Sequence, residues 1–525
     1  MAEGVAENME MTEQVAKAKP KKKKLPVVLV FLVLISAFGS SFQYGYNLWE
    51  VNHPSADLWN ISAVSRQAKT SRSKGFIKFL DALQYSFFSF GGLVGSLFAG
   101  PLMDKCGRKG SLVSNSLFSL IAAALMGWSK VRRAYEFTIL ARFVTGICAG
   151  IFASVVPIYL GEIAPQNMRG VIIMVAQLFV AVGVVMAQLF GHPTILGNYR
   201  DWTMYMSIIG TSALFQLFLL PSFPESPRYL LIQKRNEKKA REALKVLRGR
   251  DDVEDELEEL REEDLAEGAE KKMSVLRLIG FEQLRWQLLS VIILMCGRQL
   301  SGIYAAYYYA EKIFANMTGV TGQSARFVSV GSTITAIVML LVIMSVVDTV
   351  GRRVLLLTGY GICSISCILL TMSLELLHMA PWMSYISAAL VFIFLVGQAM
   401  GPSPLPDMII LEMFLQSSRS SAFVVGGIVH WLCSFITGFA FVYIQDRIGP
   451  YSFLVYWPTC IVNFIYIFKI VPETKNKTFL EIRRIMANHV AKIILRKKKS
   501  GTRKLSRRST QFAVKTNKER FFMHR

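Results

Sequence analysis

The 525-residue chain is 53% hydrophobic and 18% charged, with a mean hydropathy of +0.39. A soluble chain of this length carries about a quarter charged residues, so the composition excludes an ordinary soluble globule and points to repeated membrane crossing. The formal net charge is +23, but the excess sits at the chain ends and in the loops. That is where a membrane protein accumulates Lys and Arg on its cytoplasmic side, and it argues against nucleic acid as a partner.

Residues 1–25 are polar and end in Lys21-Lys22-Lys23-Lys24, and read as an N-terminal tail with no cleavable leader. Six apolar runs of spanning length follow, at 27–47, 80–101, 111–129, 136–160, 171–191 and 203–221. Together they make an N-terminal unit over 26–222. Residues 223–286 are charged, and the alternating signs of RNEKKAREALKVLRGRDDVEDELEELREEDLAE predict solvated cytoplasmic helices. Six more runs, at 287–313, 327–347, 354–377, 382–410, 421–444 and 452–471, make a C-terminal unit over 287–472. Residues 473–525 form a basic tail. The predicted architecture is an all-α polytopic membrane protein of twelve spans in two six-helix halves.

An internal repeat supports the two halves. Asp104-Lys105-Cys106-Gly107-Arg108-Lys109 follows the second span and Asp348-Thr349-Val350-Gly351-Arg352-Arg353 the eighth. Glu162 and Arg169 follow the fourth span, Glu412 and Arg419 the tenth; Pro224-Glu225-Ser226 follows the sixth and Pro472-Glu473-Thr474 the twelfth. Each pair is separated by about 245 residues, the mark of two parallel homologous halves. Arg108, Glu162, Arg169, Arg352, Arg353, Glu412 and Arg419 are therefore candidate switch residues, linking helix ends while that face is closed.

Charge alone leaves the sidedness divided. Arg66, Lys69, Arg72, Lys74 and Lys78, then Lys130, Arg132 and Arg133, lie in loops that the repeat places outside, against the positive-inside rule. The repeat motifs put both termini in the cytoplasm, and Asn60-Ile61-Ser62 and Asn316-Met317-Thr318 then face outward as glycosylation acceptors. Arg496 to Lys499, Arg503-Lys504 and Arg507-Arg508 form a basic cluster suited to anionic inner-leaflet lipid, beside a kinase-like Ser509-Thr510.

The spans hold few full charges and many amides, hydroxyls and aromatics. Gln43, Tyr44, Gln177, Gln188, Gln299, Ser301, Gln398, His430 and Trp431 are candidates for binding a neutral polyol, whose hydroxyls need donors and acceptors and whose C–H faces stack on rings. Gly401-Pro402-Ser403-Pro404-Leu405-Pro406 breaks the tenth span. The seven cysteines show neither a disulfide framework nor metal-ligand spacing. No cofactor, metal or enzyme chemistry is indicated.

Several long motifs in order name a family. AFGSSFQYGYN (37–47), GPLMDKCGRKG (100–110), PIYLGEIAPQNMRG (157–170), PESPRYLLIQK (224–234), QLSGI (299–303), GPSPLP (401–406), EMFLQSSR (412–419), VHWL (429–432) and VPETKNKTF (471–479) resemble the facilitative hexose transporters, a sugar-porter branch of the major facilitator superfamily. The branch most similar is that of the fructose transporter. The resemblance covers residues 27–485 and implies a plasma-membrane uniporter working by alternating access. Its sugar-site pattern maps to Tyr44, Gln177, Gln299, His430 and Trp431.

Four positions depart from that pattern. Arg298 replaces the first of two tandem glutamines, Tyr304 and Ala336 replace asparagines, and Gln398 replaces a histidine typical of the fructose branch. Asp407 also stands where a neutral residue is usual. A lone mid-membrane arginine costs several kcal/mol, and an Arg298–Asp407 ion pair in the cavity is the expected remedy. Two other readings stay open: a proton-coupled or anion carrier using Asp407 and Arg298, and a non-transporting sensor with a degenerate site.

Overall fold

In the computed structural model, described residues are 26–50, 73–132, 135–192, 195–196, 201–267, 273–303, 305–306, 322–376, 379–380, 382–475, 477, 481–482, 484–488 and 491. Tyr304, Asn60, Asn316 and the basic cluster of the tail lie outside them. Every described regular element is helical, as a bilayer demands of chains that cannot leave backbone groups unpaired in lipid.

The N-terminal set comprises α1 (Val27–Ser36), a π-helical turn (Ala37–Ser41), α2 (Phe42–Glu50), α3 (Ser73–Arg132), α4 (Tyr135–Ile163), α5 (Arg169–Phe190) and α6 (Trp202–Leu219). The connecting segment holds α7 (Glu237–Arg248), α8 (Glu254–Glu267) and α9 (Val275–Gly280). The C-terminal set comprises α10 (Arg285–Gln299), α11 (Gly322–Val350), α12 (Arg352–Glu375), α13 (Met383–Met400), α14 (Leu405–Met413), α15 (Gln416–Ile448) and α16 (Ser452–Lys469). Nine described segments are long and apolar enough to cross a bilayer, and Ser207–Ser222 is a shorter apolar helix. The segment Ser86–Trp128 contains two of the expected spans, because α3 carries the chain through both and breaks only at Gly107 (φ 80°, ψ −178°).

Small residues let the helices approach closely. A Cβ on Gly45 would stand 1.9 Å from the Val180 carbonyl oxygen, and one on Gly146 would stand 2.2 Å from that of Phe88. Large side chains such as Phe218, Phe98 and Ile365 face outward, where lipid accepts them without cost.

The connecting segment holds short helices with their own small core. Asn236 caps α7 by accepting from the Lys239 backbone N–H, and Gly249, at φ 60°, ends it. Ala240, Leu244, Leu257 and Leu260 bury a small core against Leu231 and Ile232. Arg248 donates to the Ile163 carbonyl oxygen over 2.9 Å, holding the segment on α4. The Met273 N–H donates to the Ser417 carbonyl oxygen over 3.2 Å, holding its far end on α15.

Candidate functional site

Between the two sets lies a central cavity of about 40 Å³, room for about three waters. Tyr44 of α2, Gln177 of α5, Arg298 of α10, Asp407 of α14 and His430 and Trp431 of α15 line it. The expected break of the tenth span places Asp407. α13 stops at Met400, residues 401–404 turn, and α14 begins at Leu405 with Asp407 in its first turn. There the helix dipole favours an anion. The break is bonded internally, Ser403 N–H to the Gln398 carbonyl oxygen over 3.0 Å, and a Cβ on Gly401 would stand 2.6 Å from the Leu355 carbonyl oxygen of α12.

Arg298 and Asp407 meet in this cavity. Arg298 Nη1 donates to Asp407 Oδ2 over 2.6 Å, and the two side chains are 13% and 6% exposed. Gln177, from the other half, completes the cluster. Its Nε2 donates to Asp407 Oδ2 over 3.0 Å, and its Oε1 accepts from Arg298 Nη2 at 3.4 Å. One amide thus serves a cation and an anion together, and the cluster carries no net charge.

The aromatic wall lies beside it. The Trp431 ring is edge-on to Tyr44 (5.8 Å between centroids) and to Phe88 (5.6 Å), and Gly92 leaves it space. His430 Nε2 is 3.2 Å from Gln299 Nε2 and 3.5 Å from the Tyr44 hydroxyl. An amide nitrogen can only donate, so His430 Nε2 accepts and Nδ1 carries the hydrogen. His430 Nδ1 and Trp431 Nε1 are buried with no hydrogen-bond partner among the described residues. Both residues line the cavity, and a buried donor without a partner is the chemistry a polyol oxygen satisfies.

Not every expected residue reaches the cavity. Gln398 lies against Cys363 inside the C-terminal bundle and is absent from the lining. Gln43 donates to the Gly39 carbonyl oxygen of the π-helical turn, within its own helix. Ser301 donates to the Arg298 carbonyl oxygen over 3.0 Å where α10 ends. Gln188 is buried away from the lining residues, and Ala336 packs on the main core. The two roles that composition could not separate, cavity contact and helix packing, divide according to which face of each helix turns inward.

The charged turns form two matching clusters on one face. Arg108 Nε lies 3.1 Å from Glu162 Oε2, and its guanidinium stacks on the Tyr229 ring at 4.7 Å. Arg352 Nη2 lies 3.2 Å from Glu412 Oε1 and 2.9 Å from Asp348 Oδ1. Arg419 Nη1 reaches across the halves to Glu162 Oε1 at 3.4 Å. Arg169 is buried at the start of α5 with Glu412 and Glu263 among its electrostatic neighbours. A Cβ on its neighbour Gly170 would stand 2.5 Å from Asp348 Oδ1 of the opposite half. Arg353 donates to the Phe468 carbonyl oxygen over 2.5 Å.

Two acids that the repeat exposed, but whose part it did not reveal, organise these turns. Glu225 accepts from the backbone N–H of Arg108 (3.1 Å) and of Lys109 (3.0 Å). Glu473 accepts likewise from Arg352 (2.9 Å) and Arg353 (3.0 Å). Each caps a helix start just after a glycine with left-handed φ, Gly107 at 80° and Gly351 at 104°. Burial pushes the Glu225 carboxyl above its ordinary range, against the N–H groups of Lys109 and Ser226. Burial likewise opposes the charge of Arg228, but Glu263 and Glu259 reverse the balance and raise its pKa.

Among the described residues no group of His, Cys, Asp or Glu is arranged to hold a metal ion. Two contacts join the halves to either side of the lining residues in sequence. Arg419–Glu162 lies toward the charged turns, and Ser89 and Ser434, whose hydroxyls are 3.2 Å apart, join the halves elsewhere. In this arrangement the cavity is too small for a hexose.

Comparison with known proteins agrees with the architecture. The human solute carrier family 2, facilitated glucose transporter member 5, is 48% identical over 467 residues, covering 89% of this chain and 93% of that protein. Human facilitated glucose transporter member 7 is 47% identical over 470 residues, covering 89% and 91%. In fold, the proton:xylose symporter XylE bound to 6-bromo-6-deoxy-D-glucose superposes with a TM-score of 0.77 at 18% identity, covering 87% of this chain and 99% of that one. The model of the family described as sugar (and other) transporter matches residues 32–486, and the chain belongs to that family, with the all-α major facilitator fold.

Proposed function

We propose that the protein carries a hexose, fructose-like in shape, down its gradient across the plasma membrane by alternating access. The observation that carries the reading is the central cavity lined by Tyr44, Gln177, His430 and Trp431, two of which keep buried ring N–H groups without a described partner. The family membership and the printed activities of the relatives support it.

The residues divide the work by chemistry. Trp431 and Tyr44 offer faces to the C–H side of the ring. His430 Nδ1 and Trp431 Nε1 donate to sugar oxygens. The Gln177–Arg298–Asp407 cluster offers donors and an acceptor side by side, suited to neighbouring hydroxyls. A sugar that takes up these groups replaces the Gln177 amide, which releases one bridge between the halves. Because the cluster is neutral, it favours a neutral polyol over an anion, which meets Asp407 as well as Arg298.

The charged turns act as the switch of the inner gate. Arg108, Glu162 and Arg419 hold the halves together while that face is closed, and opening it breaks Arg419 from Glu162. Arg352, Arg353 and Glu412 do the matching work in the second half, and Arg169 of the first half faces Glu412 across the gate. On this reading the charged turns and both termini face the cytoplasm, Asn60 and Asn316 face outside as glycosylation acceptors, and the basic tail rests on anionic lipid. The N-terminal six helices, 26–222, and the C-terminal six, 287–472, move as bodies joined by residues 223–286.

The test is uptake of radiolabelled fructose and glucose by liposomes holding the purified protein. Saturable uptake that Trp431→Ala abolishes supports the reading. No hexose uptake from folded protein at any pH overturns it.

A further inference from the structure

Two of the seven cysteines lie near each other and at the edge of the site without belonging to it. Cys296 on α10 and Cys433 on α15 have their sulfurs 3.6 Å apart. Both are half-buried and unbridged. Cys296 precedes Arg298 and Gln299 by less than one helical turn, and Cys433 follows His430 and Trp431 by less than one turn. The thiol pair thus joins the two helices beside the Gln299–His430 contact.

We propose that Cys296 and Cys433 form a dithiol modification site, which a small neutral peroxide converts into an inter-helix disulfide that arrests transport. A disulfide needs sulfurs at about 2.0 Å, so rotation of either side chain with slight approach closes the remaining gap. The neighbouring surfaces lead outward: Leu289 on α10 and Leu432, Phe435 and Ile436 on α15 are exposed apolar residues. The approach therefore opens from the bilayer, where a neutral peroxide travels and ionic reductants do not.

The chemistry closes on itself. One thiolate attacks a peroxide oxygen, giving a sulfenic acid and releasing water. The second thiol's sulfur attacks that sulfenyl sulfur, forming the S–S bond and releasing a second water. The two thiols lose two electrons and two protons, and hydrogen peroxide takes them.

The consequence follows from position. α10 ends at Gln299, and the chain turns at Gly302 with φ 97°. A covalent bond one turn before that end would fix α10 to α15 and prevent the Gln299 and His430 pair from adjusting around a ligand. Cys367 and Cys460 also neighbour each other, but both are fully buried, so a peroxide reaches them last.

The test uses the full-length protein in liposomes, treated with hydrogen peroxide and then with an uncharged, membrane-permeant trialkylphosphine. Non-reducing peptide mapping should find a Cys296–Cys433 linkage, hexose uptake should fall at least several-fold, and the reductant should restore both. Cys433→Ser should keep its uptake after peroxide, and Cys367→Ser should lose it as the unsubstituted protein does. A Cys367–Cys460 linkage in place of the expected one, no linkage at all, or equal peroxide loss in Cys433→Ser would overturn the proposal. Because peptide mapping reads the linkage directly, it separates failure of this proposal from failure of hexose transport.

Discussion

Replacing Arg298 by Gln leaves Asp407 as a buried carboxylate whose described partner is the Gln177 amide at 3.0 Å. Two unit charges about 4 Å apart attract by about 4 kcal/mol at an effective dielectric of about 20. Breaking one side of a buried pair costs about 3–5 kcal/mol, because the other charge stays behind. Both side chains are nearly enclosed, at 13% and 6% exposure, so water recovers little of that loss. Removing both charges, with Arg298→Gln and Asp407→Ala together, abolishes the stranded charge and costs only lost packing and hydrogen bonds, about 1–2 kcal/mol. The purified variants can be compared by thermal melting in detergent. Each single variant should melt several degrees below the parent, and the double variant above either single one. On these figures the coupling across the cycle should be at least about 4 kcal/mol. Equal yields and equal melting of Arg298→Gln and the double variant would refute the pairing argument.

The same charge logic reaches specificity: hexuronates should leave uptake by the parent unaffected yet inhibit Asp407→Asn, whose cavity keeps Arg298 without its counter-ion, and competition assays read this directly. Glu162→Gln strands Arg108 and Arg419 together; it should lower stability by about 3–5 kcal/mol and expose the charged-turn face to thiol-labelling of introduced cysteines more often than in the parent. Gly351→Ala should destabilise by more than about 1 kcal/mol, since its φ of 104° disfavours a side chain and the new Cβ would meet Glu473 Oε2 at 2.6 Å; melting of the variant against the parent checks it. Burial raises the Glu225 pKa above its ordinary 4.5, so the folded state holds that proton more tightly than the unfolded chain. The stability from this group is fully present below pH 4.5 and is lost as pH rises through the raised value; Glu225→Gln should flatten that part of the melting profile.

The spans were legible because lipid imposes long apolar runs, and the repeat was legible because both halves keep the same charged turns. Hydropathy did not show that α3 runs through two of the spans, since the charged run Asp104–Lys109 reads as a loop, whereas the helix breaks only at Gly107. The repeat marked Glu225 and Glu473 but not their work, because a carboxylate that accepts from backbone N–H groups leaves no pattern beyond its own spacing. Arg298 and Asp407 stood out as unusual mid-membrane charges, and the family's fold suggested that they share a cavity. Gln177 as their common partner was not legible, since its distance from Arg298 in sequence says nothing about reach across the halves. Gln398 had the right residue type on the tenth span, yet its helix turns it toward Cys363 rather than toward the cavity.

Counterflow measures the alternating carrier most directly. Liposomes holding the protein would be preloaded with unlabelled fructose and diluted into a trace of labelled fructose, with equal pH and no membrane voltage. A carrier whose single cavity faces each side in turn should concentrate the label transiently, then release it, and Trp431→Ala should abolish the overshoot. Binding of hexose without any overshoot would identify a protein that holds its ligand but does not pass it on, and would contradict the transport account.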